Sequence, residues 1–207
     1  MNSNFVPLSA IELVERINKI PRVNLAQLPT TLDFAPNISK ELNINLYIKR
    51  DDCTALAFGG NKTRHLEFIM AKTLSENYDC ILTGASSQSN FCRQAVAAAN
   101  KLNLDSYLVL MHGVKGKVMQ GNFLLYNILG ANVDVVEGED LEQIPKHLDK
   151  KYKQLIDSGK KPLLIYGGFG KEDTILAGIS YANAMAEIDL QMKEQNFLAD
   201  HLFVTAA

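Results

Sequence analysis

The residues of this chain best suited to covalent chemistry are Phe58-Gly59-Gly60-Asn61-Lys62-Thr63-Arg64, a lysine set behind two glycines where a helix is expected to start. Glycines let the backbone approach a bulky ligand closely. The N-terminus of a helix disfavours a nearby ammonium, and burial disfavours it further. The neutral amine is the form that makes a Schiff base with an aldehyde. A solvated lysine just inside a helix would fit the same residues, so this stretch alone leaves both readings open. A second cluster is Ser86-Ser87-Gln88-Ser89-Asn90, framed by Gly84-Ala85 and by Phe91-Cys92-Arg93-Gln94. It follows an apolar run and opens another expected helix. Such residues cap helices and fill turns, but there are more of them here than one cap uses.

The elements that must position these clusters alternate. Residues 11–17 form an amphipathic helix candidate, followed by a proline-punctuated segment from Pro21 to Pro36. Residues 46–49 read as a short strand. Leu66, Ile69, Met70 and Leu74 stand at helical spacing, residues 80–83 form a strand, and Phe91, Ala95, Ala98 and Leu102 mark a helix. Strands follow over 107–111, 133–136 and 163–166, with helices over 123–129 and about 141–156. Gly130 is a C-terminal stop, and Pro145 falls within the first turns of its helix, where proline is tolerated. Ile175, Ile179, Ala182 and Ala186 share a helix face, and residues 202–206 read as a last strand. Strands alternating with helices predict parallel sheets covered on both faces, with ligands beyond the carboxyl ends of the strands. The Ser86–Asn90 loop and residues 167–170 both follow strands and could face one crevice.

Composition narrows the function classes. The 207 residues are 47% hydrophobic, enough for a buried core, and a net charge of -2 excludes a broad electrostatic nucleic-acid surface. No apolar run approaches a membrane span, and no basic patch with an apolar stretch opens the chain. Cys53, Cys80 and Cys92 lack metal or redox spacing, which fits a cytoplasmic, reducing setting. Cys92 reads as a small apolar filler. The glycine–lysine stretch is not a nucleotide loop, because Asn61 separates Gly60 from Lys62 and Ala55 stands where the first glycine belongs.

Together the motifs resemble one family. These are Leu28-Pro29-Thr30, Ile48-Lys49-Arg50-Asp51-Asp52, the Gly-Gly-Asn-Lys-Thr-Arg run, Leu66-Glu67, Gln88-Ser89-Asn90 and Arg93-Gln94. Further along, Gly121-Asn122, Leu129-Gly130-Ala131, Gly167-Gly168, Gly178 and Tyr181 continue the match in order and spacing. The chain is similar to the pyridoxal-phosphate enzymes that include D-cysteine desulfhydrase and 1-aminocyclopropane-1-carboxylate deaminase, of the tryptophan synthase β-like fold type. The resemblance implies an α/β protein with two parallel-sheet domains. Residues 1–65 would begin the larger domain, 66–176 would form the smaller one, and 177–207 would return to the larger. In that family a glycine-rich loop that holds the cofactor phosphate begins near Ala207. The chain therefore reads as the N-terminal part of a longer enzyme, or the product of a truncated gene, poorly active alone and homodimeric when full length.

The resemblance also implies roles. Lys62 would bind pyridoxal 5'-phosphate and move the substrate α-proton. Asn90 would donate to the cofactor's phenolate oxygen, with Asn61 contributing to the cofactor site or only capping the helix. Ser89, Gln88 and Ser87 would line the substrate carboxylate pocket, Ser89 also carrying a proton. The expected reaction is loss of a thiol from D-cysteine or ring opening of 1-aminocyclopropane-1-carboxylate, either giving a 2-oxo acid and ammonium. A catalytically incompetent fragment that binds a partner is the alternative from another class. Two departures matter. Phe91 stands where many members have histidine, and phenylalanine moves no proton. His65 stands where a second basic residue often follows Thr-Arg, and it reads as a surface or satisfied side chain. Asp51 and Asp52 adjoin Arg50, where a structural ion pair is expected.

Overall fold

The computed structural model describes residues 7–112, 118–138, 140–166 and 171–205, without the side chains of residues 171–173. Helix α1 (Ala10–Ile17) opens on a capping box, in which Ser9 and Glu12 satisfy each other's backbone N–H. A short ribbon follows, with β1 (Leu32–Phe34) antiparallel to β2 (Tyr47–Lys49) and α2 (Pro36–Leu42) between them. The expected strand at 46–49 is present. Its partner lies in the proline-punctuated segment and α2 begins at that segment's last proline; neither carried a periodic signal.

From α3 (Lys62–Ser75) onward, helices and strands alternate as expected. The strands are β3 (Cys80–Ser86), β4 (Asp105–Met111), β5 (Asn132–Val136) and β6 (Pro162–Ile165), and the helices are α4 (Asn90–Lys101), α5 (Gly121–Ile128), α6 (Ile144–Asp157) and α7 (Lys171–Glu194). The four strands form one parallel sheet in the order β5-β4-β3-β6. Each strand presents alternate residues to opposite faces. Ile81 and Ile165 pack under Leu66, Ile69, Ala95 and Ala98 of α3 and α4. On the opposite face Leu82, Val109 and Met111 pack against Ile144, Leu148 and Leu155 of α6. Leu108 and Leu110 meet Cys92, Val96, Phe123 and Tyr126 of α4 and α5. Cys92 is buried in that cluster, and burial pushes its thiol up to about 12, as a filler rather than a nucleophile.

Several expectations are corrected. Strand β3 runs on through Gly84, Ala85 and Ser86, which pair with Val109, Leu110 and Met111 of β4; Gly84 permits the approach, since a Cβ there would lie 2.4 Å from the Val109 carbonyl oxygen. Helix α6 starts at Ile144 after a 3₁₀ turn over Leu141–Gln143, so Pro145 sits in the first turn, where its missing N–H costs nothing. In α7 the buried positions include Ser180, Asn183, Ala184 and Ala186, whereas Ile175 is 54% exposed. Polar anchors, not an aliphatic stripe, hold that helix. Residues 202–205 of the expected last strand are not in a sheet, and Leu202, Phe203 and Val204 are exposed. No described strand lies beside them to pair with. Ala206 and residues 167–170 lie outside the described residues. A second parallel sheet is absent among the described residues, which carry only the antiparallel ribbon beside the four-stranded one.

Candidate active site

The chain enters α3 through a loop in left-handed conformations. Ala55, Ala57, Phe58, Gly59 and Gly60 all have positive φ. For a residue with a Cβ this costs about 1 kcal/mol or more, so other contacts must hold the loop. Gly59 is required, since a Cβ there would lie 1.8 Å from the Asp52 carbonyl oxygen. The Thr54 hydroxyl closes the loop by donating to Gly60 O at 2.8 Å and accepting from Gly60 N at 2.9 Å. Lys62 then opens α3, half-buried, with no partner for its Nζ among the described residues.

Asn61 occupies the cap position but makes no side-chain cap bond; its amide donates instead to the Tyr181 hydroxyl on α7. The capping role is therefore corrected. Asn61 links the lysine turn to the long C-terminal helix.

The second polar cluster sits between β3 and α4, at the carboxyl edge of the sheet, as expected from its position after a strand. Ser89 caps α4, its Oγ accepting from Cys92 N at 3.2 Å. Tyr126 donates to the Ser89 carbonyl at 2.8 Å. Ser87 is 1% exposed, and its buried Oγ has no hydrogen-bond partner among the described residues. Gln88 spends both ends of its amide on α5: Oε1 accepts from Asn122 N at 3.0 Å and Nε2 donates to Gln120 O at 3.1 Å. Asn90 is exposed, and its Oδ1 accepts from Asn122 Nδ2 at 3.0 Å and Arg93 at 3.3 Å. With that oxygen engaged twice, Nδ2 is the end left to donate.

Two links hold the lysine loop against α4. Thr63 Oγ1 donates to Gln94 Oε1 at 2.8 Å, and Gln94 Nε2 donates to Asn90 O at 3.3 Å. Arg93 donates to the carbonyls of Ala57 and Gly59. So Lys62 and Asn90 begin two adjacent helices that side chains tie together. Arg93, Gln94, Asn122 and Thr54 carried no role in the sequence reading. Arg93-Gln94 and Gly121-Asn122 were visible only as matched motifs.

A buried charge network supports α3 from the other side. Arg64, 1% exposed, binds Asp51 at 2.8 Å and Glu187 of α7 at 2.8 Å. Lys49 pairs with Glu187 at 2.8 Å. Burial raises the carboxyls of Asp51 and Glu187, but hydrogen bonds and charge from Arg64, with Lys49 adding to them, hold both below the usual range. The expected pairing at Arg50 holds for Asp52, at 2.7 Å, while Asp51 turns inward to Arg64. His65 is buried rather than on the surface, with its ring 6.3 Å from that of Phe91. No helix of the described residues is long and apolar enough to cross a membrane, and none of their side chains forms a group able to hold a metal.

Comparison with known proteins bears on this geometry. Residues 23–207 match the family described as pyridoxal-phosphate dependent enzyme. A Pyrococcus horikoshii protein provisionally named a 1-aminocyclopropane-1-carboxylate deaminase is 36% identical over 174 residues, covering 84% of this chain and 51% of its own length. A Klebsiella pneumoniae D-cysteine desulfhydrase is 33% identical over 183 residues, covering 86% of this chain and 54% of its own. The chain thus spans about half the length of the curated relatives it matches. The crystal structure of an ACC deaminase homologue superposes with a TM-score of 0.78 at 34% identity, over 90% of this chain and 55% of that one. Escherichia coli diaminopropionate ammonia lyase, at 15% identity and a TM-score of 0.68 over 96% of this chain and 56% of that one, shares the fold.

Proposed function

Because this chain belongs to the family of pyridoxal-phosphate dependent enzymes, we propose that it carries the cofactor-binding lysine, Lys62, of a lyase acting on a small amino acid. The observation that carries this reading is the state of Asn90. Its Oδ1 already accepts from Asn122 and Arg93, so its Nδ2 is free to donate to an anionic ring oxygen. That donor stands on the helix packed against the one Lys62 opens. The donor set fits the ring end of pyridoxal phosphate. No described residue is assigned to the phosphate.

Bound pyridoxal phosphate supplies an electron sink for negative charge at a substrate α-carbon. The chain's own residues do the rest. Lys62, whose amine has no partner among the described residues, would hold the cofactor through its aldehyde and would be the base that takes the substrate α-proton. Asn61, held by Tyr181, orients the turn that delivers it. Ser89 accepts from Cys92 N and keeps its own O–H to donate to the substrate carboxylate or to pass a proton. Gln88 and Ser87 would support that carboxylate side rather than donate to the substrate, because Gln88 commits both ends of its amide to Gln120 and Asn122 and Ser87 is 1% exposed. Closure of a smaller domain over residues 66–176 on a larger one would exclude water. In a cytoplasmic homodimer of the full-length protein, D-cysteine and water would give a 2-oxo acid, ammonium and sulfide. The 1-aminocyclopropane-1-carboxylate deaminase reading is favoured by the P. horikoshii relative and the crystal structure at 34% identity.

Borohydride reduction in the presence of pyridoxal phosphate, followed by peptide mapping, tests the core of this reading. The label should sit on Lys62; a label on another lysine would remove it. Sulfide release from D-cysteine, set against ammonium release from 1-aminocyclopropane-1-carboxylate, separates the two substrates.

A further inference from the structure

The chain buries two arginines in opposite ways. Arg64 meets two carboxylates. Arg93 is 8% exposed and meets no carboxylate among the described residues. Its guanidinium donates to the carbonyls of Ala57 and Gly59 and, at 3.3 Å, to Asn90 Oδ1, while its buried Nε has no acceptor among them. Burial of such a cation disfavours its charge, and a buried cation facing only neutral acceptors is a poor way to stabilise a fold. What this arrangement achieves is geometric. A guanidinium is a rigid planar fork. Here it grips a loop of positive-φ residues on one side and a side-chain amide on the other.

We propose that Arg93 is a positioning residue: it clamps the loop that delivers Lys62 and, by binding Oδ1 of Asn90, fixes which end of that amide is presented to a ligand. The proposal rests on the roles given above to Lys62 and Asn90. Two donors on Oδ1 prevent the amide from flipping, since a flip would set NH₂ against Arg93 and Asn122. The cation also polarises the amide, which strengthens Nδ2 as a donor.

The test uses the 207-residue chain, with Arg93→Met removing the charge and Arg93→Lys keeping it without the fork. The Asn90 side-chain NH₂ resonance, assigned by its loss in Asn90→Ser, should move in both variants and stay in place in the control Arg50→Met, at a half-buried arginine paired with Asp33 and Asp52. Labelling with pyridoxal phosphate and borohydride should put most label on Lys62 in the wild type. Its share should fall about tenfold or more in both variants, as for one lost charged hydrogen bond. An unmoved Asn90 resonance overturns the proposal, and so does an unchanged Lys62 share in folded variants. Unfolding of both variants, read by circular dichroism, also overturns it, because Arg93 would then be a core strut. If the wild type labels Lys62 no more than other lysines while the resonance still moves, the clamp stands and the cofactor reading fails.

Discussion

Lys62 stands at the first position of α3, and its amine has no partner among the described residues, so its removal should cost the fold little. Alanine is the best helix former. Lys62→Ala is expected to keep the wild-type circular dichroism spectrum, to shift the thermal midpoint by no more than about 3 °C, and to lose the borohydride-trapped label. A variant that stayed labelled at the same yield would refute the role of Lys62. Asn122 works at one remove. Its amide spans Gln88 O at 2.8 Å and Asn90 Oδ1 at 3.0 Å. Asn122→Ala should therefore weaken pyridoxal phosphate binding about five- to tenfold, the worth of one or two hydrogen bonds, as measured by absorbance titration. The sequence singled out Lys62 and Asn90 because both stand at expected helix starts behind glycine or serine signals, and both do open helices. Asn122 stood out only within the matched Gly121-Asn122 motif and without a role, since its function is a contact across 32 residues of sequence.

At the scale of elements, the loop before α3 and the network behind it make separate demands. Gly59→Ala would put a Cβ 1.8 Å from a backbone oxygen, at φ +73. It should lower unfolding stability by more than about 3 kcal/mol in urea titration. Gly159→Ala, at φ +83 with nothing within 4 Å, should cost only about 1 kcal/mol. Equal losses would mean that the close approach at Gly59 does not matter. The Arg64 network adds a pH dependence. Folding lowers the carboxyl pKa of Asp51 and Glu187, so the unfolded chain binds more protons in acid. The stability they contribute is fully present above their unfolded values of about 3.9 and 4.3 and is lost as pH falls through the lower folded values. Urea midpoints should be level above about pH 5 and drop below about pH 4. In Glu187→Gln the acid drop should be shallower and the midpoint at pH 7 lower. Asp51 and Arg50 adjoin in the sequence, yet Asp51 binds Arg64 instead. Adjacent residues point in different directions, and only the fold decides which charge lies within reach.

The whole molecule presents a four-stranded parallel sheet with helices on both faces and, apart from it, a small ribbon with exposed apolar residues. Phe34, Ile48, Leu198, Leu202, Phe203 and Val204 all stand open to solvent. Exposed apolar surface of this kind favours association. Light scattering on the 207-residue chain should show self-association that grows with concentration, and Phe203→Ser with Val204→Ser should reduce it. A monomer at all concentrations would count against that surface as a contact. Relatives about twice as long share this region.

The sequence alone determined the alternation of elements from Lys62 to the helix at Lys171–Glu194, though not the strand expected after it, and the two polar clusters at helix starts. Hydrophobic period and local turn chemistry are encoded within a few residues. It determined the family as well, through motifs in order across most of the chain. Strand order, the ribbon pairing of residues 32–34 with 47–49 and the polar seat of α7 were decided by tertiary structure. So were the inward turn of Asp51 and the meeting of Arg93 with both the lysine loop and Asn90. Each of these is a long-range choice of partner for a buried polar group, and burial makes that choice obligatory without writing the partner's identity beside it in the chain.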